Sequence, residues 1–213
     1  MQAARPELEG VARVGTQVSP REDVLAGLRP DLLVVVGGPM GQALVERRPD
    51  GAAVEEVSFE SRAAYARTVT RLARRIGRPA AGAELLARLN GELDAVQRAT
   101  GNGARPKVVA LLSRAPLVVA GPGSFLDELV DIAGGQNAVA NTNHFPIVGV
   151  EMIVGWNADV LLDLTGQAEG LEALLPGVRA RRVVLSPEGM LRPGPRSGEA
   201  ARRLAAALRA PRR

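Results

Sequence analysis

The sequence has one histidine and no cysteine, which narrows the chemistry open to it. Cysteine nucleophiles, thiolate zinc sites and disulfide scaffolds are excluded, and so is a metal centre built on several imidazoles. A Ser-His-Asp triad would have to use His144, and no nucleophile elbow on a strand–helix turn stands near it. Gly121-Pro122-Gly123-Ser124-Phe125 does not have the G-x-S-x-G order. "VVVGGPMGQ" lacks the Lys and Ser/Thr of a phosphate loop and the full dinucleotide fingerprint. Several positions could instead contact a ligand. Gly37 and Gly38, ahead of Pro39 and Met40, sit where a strand ends and permit close approach of a ligand to the backbone. The N–H groups of Gly121–Ser124 open a helix and suit an anionic group. They equally suit an N-cap with Phe125 in the core. Arg192 and Arg196 lie in a Pro/Gly loop and suit bidentate contact with a carboxylate or phosphate, or form a solvated turn. Glu188 and Met190 stand beside them. Asp31, Asp159 and Asp163 read as turn and strand-end residues.

The composition is that of a folded globular chain. Of 213 residues, 46% are hydrophobic and 23% charged, so the chain can bury a sizeable core. The net charge is only +4. Arginines are interleaved with Glu and Asp, apart from a small basic excess at Arg202, Arg203, Arg209, Arg212 and Arg213. The expectation is a solvated surface and no nucleic-acid partner. Aromatic residues are 2%, too few for a stacking platform. The longest apolar run, Leu32–Val36, falls far short of the roughly 18 residues of a membrane span. Met1–Gly10 has no apolar signal-peptide core. No cofactor is expected.

Helices and strands alternate along the chain. A helix is expected over 21–28, with Ser19 as N-cap and Pro20 at its first position. A strand buried on both faces follows at 32–36, then a helix at 42–47 and a strand at 53–57. An amphipathic helix spans 60–76, with Ala64, Val69, Leu72, Ala73 and Ile76 on its apolar face. A second helix spans 84–99. The pattern restarts with a strand at 107–112 and a helix at 124–133, capped by Ser124 with Asp127 three residues on. Further helices are expected at 150–156, 168–174 and 198–209, and strands at 160–164 and 182–185. This alternation predicts an α/β protein with mainly parallel sheets. Two lobes joined by a helix would leave a cleft, the usual place for a ligand.

Four segments, in order, make the chain recognisable: "VGTQVSPREDVLAGLRPDLLVVVGG" (14–38), "AGPGSFLDELVDIAGGQNAVA" (120–140), "FPIVGVEMIVGWNADVLLDL" (145–164) and "LRPGPRSGEAARRLAAAL" (191–208). Together they resemble the class III periplasmic substrate-binding proteins of ABC importers, which carry cobalamin, haem and iron–siderophores. The resemblance implies an N-terminal lobe over 1–79, a bridging helix over 80–100, a C-terminal lobe over 101–213 and a ligand cleft between the lobes. It also implies that the family's first strand–helix unit and signal peptide precede the region seen here. The implied ligand contacts are Gly37, Gly38, Met40, Gly121, Ser124, Phe145, Met190 and Arg192, with Phe145 foremost. His144 is a minority candidate for ligating haem iron, with Met40 opposite. Glu151 matches a position where an acidic residue docks on the permease; in the N-terminal lobe Gln42 stands at the matching place, with Glu46 a turn later. The implied function is a monomeric, non-enzymatic, extracytoplasmic carrier of cobalamin or an iron complex, cobalamin slightly favoured, that meets the membrane only through its permease. The alternatives are a degenerate member that binds a protein partner or signals, and a small α/β enzyme using the Gly37–Gly38 loop.

Overall fold

A computed structural model describes residues 9–16, 19–101, 103–140, 143–167 and 169–210, with the side chain of Met40 outside the description. The chain divides into two compact units, one ending at Ser58 and the other running from Phe59 to Arg213.

The first unit holds helix α1 (Glu22–Leu28), strand β1 (Leu32–Val36), helix α2 (Pro39–Glu46) and strand β2 (Ala53–Val57). β1 and β2 pair in parallel, Leu32 opposite Ala53 and Val36 opposite Val57. Leu25, Leu33 and Val35 form its small core, with Val14, Leu44, Val45 and Val54 against them. Burial of β1 alternates rather than covering both faces, and Val34 is 47% exposed. Within this unit only one face of the two-stranded sheet is covered. The helix starts also differ from expectation. Ser19 is not the cap of α1: the Ser19 carbonyl accepts from Thr16 N and Gly15 bridges Pro20, forming a turn that delays the helix. Arg21 becomes the extended N-cap residue, with no side-chain cap. α2 begins earlier than expected because Pro39 takes its first turn, where the missing proline N–H costs nothing.

The second unit opens with α3 (Arg62–Arg75) and α4 (Pro79–Thr100). Ser61 caps α3 by accepting from Ala64 N at 3.2 Å. The two helices form a tight hairpin; a Cβ at Gly82 would stand 2.5 Å from Ala73 Cβ. That packing places both helices in the second unit, ahead of the boundary at 79 expected from the sequence. α4 has 22 residues, roughly 33 Å.

Then follow β3 (Lys107–Arg114), β4 (Leu117–Val119), α5 (Phe125–Ile132), β5 (Gln136–Asn137), α6 (Val150–Gly155), β6 (Val160–Asp163), α7 (Leu171–Leu174), β7 (Arg181–Val184) and α8 (Ser197–Arg209). The sheet order is β4-β3-β6-β7, with β5 pairing β3. β3, β6 and β7 are parallel, and β4 returns antiparallel to β3. Alternation sends Val108, Ala110 and Leu162 into one core with Leu93, Phe125, Leu129 and Leu204 of the helices. Val109, Leu111 and Leu161 face the other core, with Ile153 and Leu171. The central strands are buried on both faces, as their continuous apolar runs predict. At the opposite end of the sheet from the strand carboxyl termini, arginines bond the last carbonyls of two helices. Arg209 donates to Ala99 O and Arg181 to Ala207 O, satisfying groups that an α-helix leaves open. Among the described residues no helix is long and apolar enough to cross a membrane.

Candidate functional site

In parallel α/β sheets, ligands gather at the carboxyl ends of the strands. In the second unit that edge holds a charged cluster that the sequence reading missed. Asp163, at the end of β6, is 0% exposed. Its carboxylate accepts from Arg114 Nη2 at 2.7 Å, Arg182 Nη2 at 2.9 Å, Thr165 N at 3.0 Å and Thr165 Oγ1 at 2.7 Å. Burial pushes the carboxyl up; the hydrogen bonds from Thr165, Arg114 and Arg182 outweigh it and hold the group below the usual carboxylate range. The two guanidiniums also bind the loop beyond β6. Arg114 donates to Gln167 O at 2.6 Å and to Glu169 O; Arg182 donates to Gln167 O at 3.2 Å. One buried carboxylate thus joins Arg114 at the end of β3 and Arg182 of β7 to the end of β6 and the loop that follows it. Arg114 and Arg182 lie 68 residues apart in the chain, so only the sheet register brings them together; a buried Asp at the end of an otherwise apolar strand was the sole local sign.

The glycine loop at 121–124 does not offer its donors to an anion. Gly121 N donates to His144 O at 2.8 Å and Gly123 N to Asp127 Oδ2 at 2.9 Å. The Ser124 hydroxyl donates to Gly121 O at 2.8 Å and accepts from Asp127 N at 3.2 Å. Ser124 is buried and Phe125 is in the core. The expected capping relation between Ser124 and Asp127 is present, and it uses the groups proposed for ligand. Ser124 and Gly121, both expected as ligand contacts, are thus hydrogen-bonded within the loop and to the crossing segment. Gly121 serves a close crossing: a Cβ there would lie 2.0 Å from Asn143 O and 3.1 Å from Pro146 Cδ. Gly121→Ala is expected to cost about 1–3 kcal/mol, read from the urea midpoint, because backbone rather than a flexible side chain must move.

The segment that crosses Gly121 carries the exposed groups. It runs beside β4, with Val119 N bonded to Pro146 O and Val148 N to Leu117 O. Pro146 and Val148 turn inward; His144, Phe145 and Ile147 are exposed, Phe145 by 45%. The His144 and Phe145 rings meet edge to face at 6.5 Å, and His144 Nε2 lies beside Gly123. The only tyrosine, Tyr65, is buried in the first-named core.

The remaining candidates separate clearly. Met190, expected as a ligand contact, is 0% exposed and packs in the core; the turn after Pro187 folds its side chain inward. Arg192 is exposed, with no ion-pair partner among the described residues, whereas Arg196 pairs with Glu188 at 3.1 Å. Trp156 is half-buried in the second core. Glu151 is exposed on the first turn of α6. In the first unit, Gly37 N donates to Val57 O, and a Cβ there would meet Glu56 Oε1 at 2.4 Å; its small size accommodates Glu56. Gly38, at φ +106°, has open space around it. Gln42 and Glu46 are exposed on α2. The Met40 side chain, the expected second haem ligand, lies outside the described residues.

The described chain thus holds a five-stranded α/β unit and a smaller α/β unit ahead of it. The family model described as periplasmic binding protein matches residues 1–177, and the chain belongs to that family. Among solved structures, the periplasmic heme-binding protein BhuT in complex with two hemes is 25% identical. The likeness covers 97% of this chain and 86% of that one, with a TM-score of 0.73. A periplasmic heme-binding protein from Pseudomonas aeruginosa is 26% identical over 95% of this chain and 81% of its own, at a TM-score of 0.70. The periplasmic vitamin B12-binding protein BtuF of Vibrio cholerae is 19% identical over 95% and 83%, at 0.76, a likeness of fold. No match is found among curated proteins.

Proposed function

We propose that this chain is the extracytoplasmic substrate-binding component of an ABC importer, with haem as its first-choice cargo. The observation that carries the cargo is the likeness, at 25–26% identity, to two heme-binding proteins within a family match over residues 1–177. The exposed neighbours His144 and Phe145 support it. An imidazole is a sound axial donor for haem iron and a phenyl ring packs on a macrocycle. Arg192, exposed and without an ion-pair partner among the described residues, is the candidate for a ligand carboxylate. In this reading the cargo is bound and released unchanged, so the role is carriage, not catalysis.

In this reading α4 is the bridging helix and the protein works as a monomer. Glu151 on one lobe, with Gln42 and Glu46 on the other, meets the permease. Two of these three positions are carboxylates, so the docking is partly electrostatic and weakens with salt.

A thermal-shift panel tests the reading with haemin, cyanocobalamin and ferric hydroxamate and catecholate siderophores. Ligand at a hundred times its dissociation constant adds about 2.7 kcal/mol, which raises the melting point by roughly 5–10 °C for a domain of this size. Haemin is expected to give that shift. A shift with cyanocobalamin alone would replace haem by a corrinoid, and a cooperative transition that none of the panel moves would overturn the carrier reading.

A further inference from the structure

The tip of the α3–α4 hairpin is a cationic surface that ligand carriage does not use. From Arg62 to Ala83 there are six arginines and no acidic residue. Arg62 is occupied by Asp94 and Glu128. Arg67, Arg71 and Arg74 recur at helical spacing along one exposed face of α3. Arg74 and Arg75 close that helix, and Arg78 opens the next as its N-cap residue. Arg67, Arg74, Arg75 and Arg78 have no ion-pair partner among the described residues. Ile76 stands among them. Its spacing on α3 predicts an apolar-face residue, but it is the C-cap residue and is 62% exposed. Gly77, at φ +69°, turns the chain at that point. The Gly82–Ala73 contact fixes the hairpin beneath, so the tip is presented on a rigid base.

We propose that this tip binds an anionic phospholipid surface, with Arg74, Arg75 and Arg78 on the headgroups and Ile76 entering the interface. Guanidiniums bind lipid phosphates through paired N–H donors. Basic residues near an anionic membrane add attraction residue by residue, and an exposed aliphatic side chain among them is the feature that a bilayer rewards and a soluble polyanion does not. Such a contact confines the carrier to the membrane on which its permease sits, independently of cargo.

The test is co-sedimentation of the ligand-free protein with vesicles of phosphatidylglycerol and phosphatidylcholine, against vesicles of phosphatidylcholine alone. Binding is expected only to the anionic vesicles and to fall with salt. Replacing Arg74, Arg75 and Arg78 together by Gln should weaken it roughly a hundredfold, about fivefold per arginine. Ile76→Ser should weaken it several-fold with the charge unchanged. A matched variant with Arg13, Arg98 and Arg179 replaced by Gln should bind like the parent. All replaced side chains are exposed, and an unchanged melting point confirms folding. Equal loss in the matched variant, no effect of Ile76→Ser, or no binding to anionic vesicles at low salt would each overturn the proposal; so would binding to soluble polyphosphate as tight as to vesicles. None of these readouts depends on which cargo the protein carries.

Discussion

Asp163→Asn is expected to destabilise the second unit by about 3–5 kcal/mol at neutral pH, the cost of breaking a buried ion pair from one side. The substitution keeps the shape of the side chain and removes its charge. It leaves the Arg114 and Arg182 guanidiniums facing each other, with the Arg114 side chain 7% exposed. Neither can move out without releasing Gln167 and Glu169, so the loop after β6 should loosen too. The pH dependence follows from the lowered carboxyl of Asp163. A group whose folded value lies below its unfolded value, about 3.9 for Asp, stabilises the fold at higher pH. That contribution is lost as pH falls through the folded value. The difference between parent and Asp163→Asn in urea denaturation should therefore be full at pH 7 and shrink below about pH 4. A difference under about 1 kcal/mol at pH 7 would contradict the account, since it would mean that water screens the cluster.

Two phenylalanines should behave oppositely. Phe125 is fully buried among helix and sheet residues, and Phe125→Ala should cost about 3–5 kcal/mol. Phe145 is nearly half exposed and packs edge to face on His144. Phe145→Ala should change stability by no more than about 0.5 kcal/mol and should weaken cargo binding about tenfold or more, the effect of removing one stacked aromatic contact. Urea midpoints and a haemin titration on both variants check the pair. Equal effects of the two substitutions on either quantity would contradict the division between core and recognition surface.

These contrasts also mark what the sequence could tell. The runs 107–112 and 160–164 read as strands of a mainly parallel sheet, because apolar runs bounded by Gly, Pro and Asp have few other solutions; burial on both faces was expected at 32–36, where Val34 is exposed. The Ser124 cap was legible for the same local reason. β4 escaped because three residues after a tight turn carry no periodicity. Ile76 was assigned to an apolar face that ends one residue earlier. Met190 was expected among the ligand contacts, and the turn after Pro187 buries it. The Arg114–Asp163–Arg182 cluster was out of reach, since it exists only once the register sets Leu111 opposite Asp163 and Asp163 opposite Val184. Family membership was legible from the four ordered segments, and the family match over residues 1–177 agrees with it. Of the positions that the resemblance picked out, Phe145 and Arg192 are exposed, and Ser124 and Met190 are buried.

The most direct measurement is a titration of the purified protein with haemin, followed by its visible absorption, beside His144→Ala. The account predicts saturable single-site binding in the parent, and a weakened, spectrally altered complex in the variant as the axial imidazole is lost. No saturable complex in a protein that unfolds cooperatively would contradict haem as the cargo. A complex with the same affinity and spectrum in His144→Ala would contradict the role of His144.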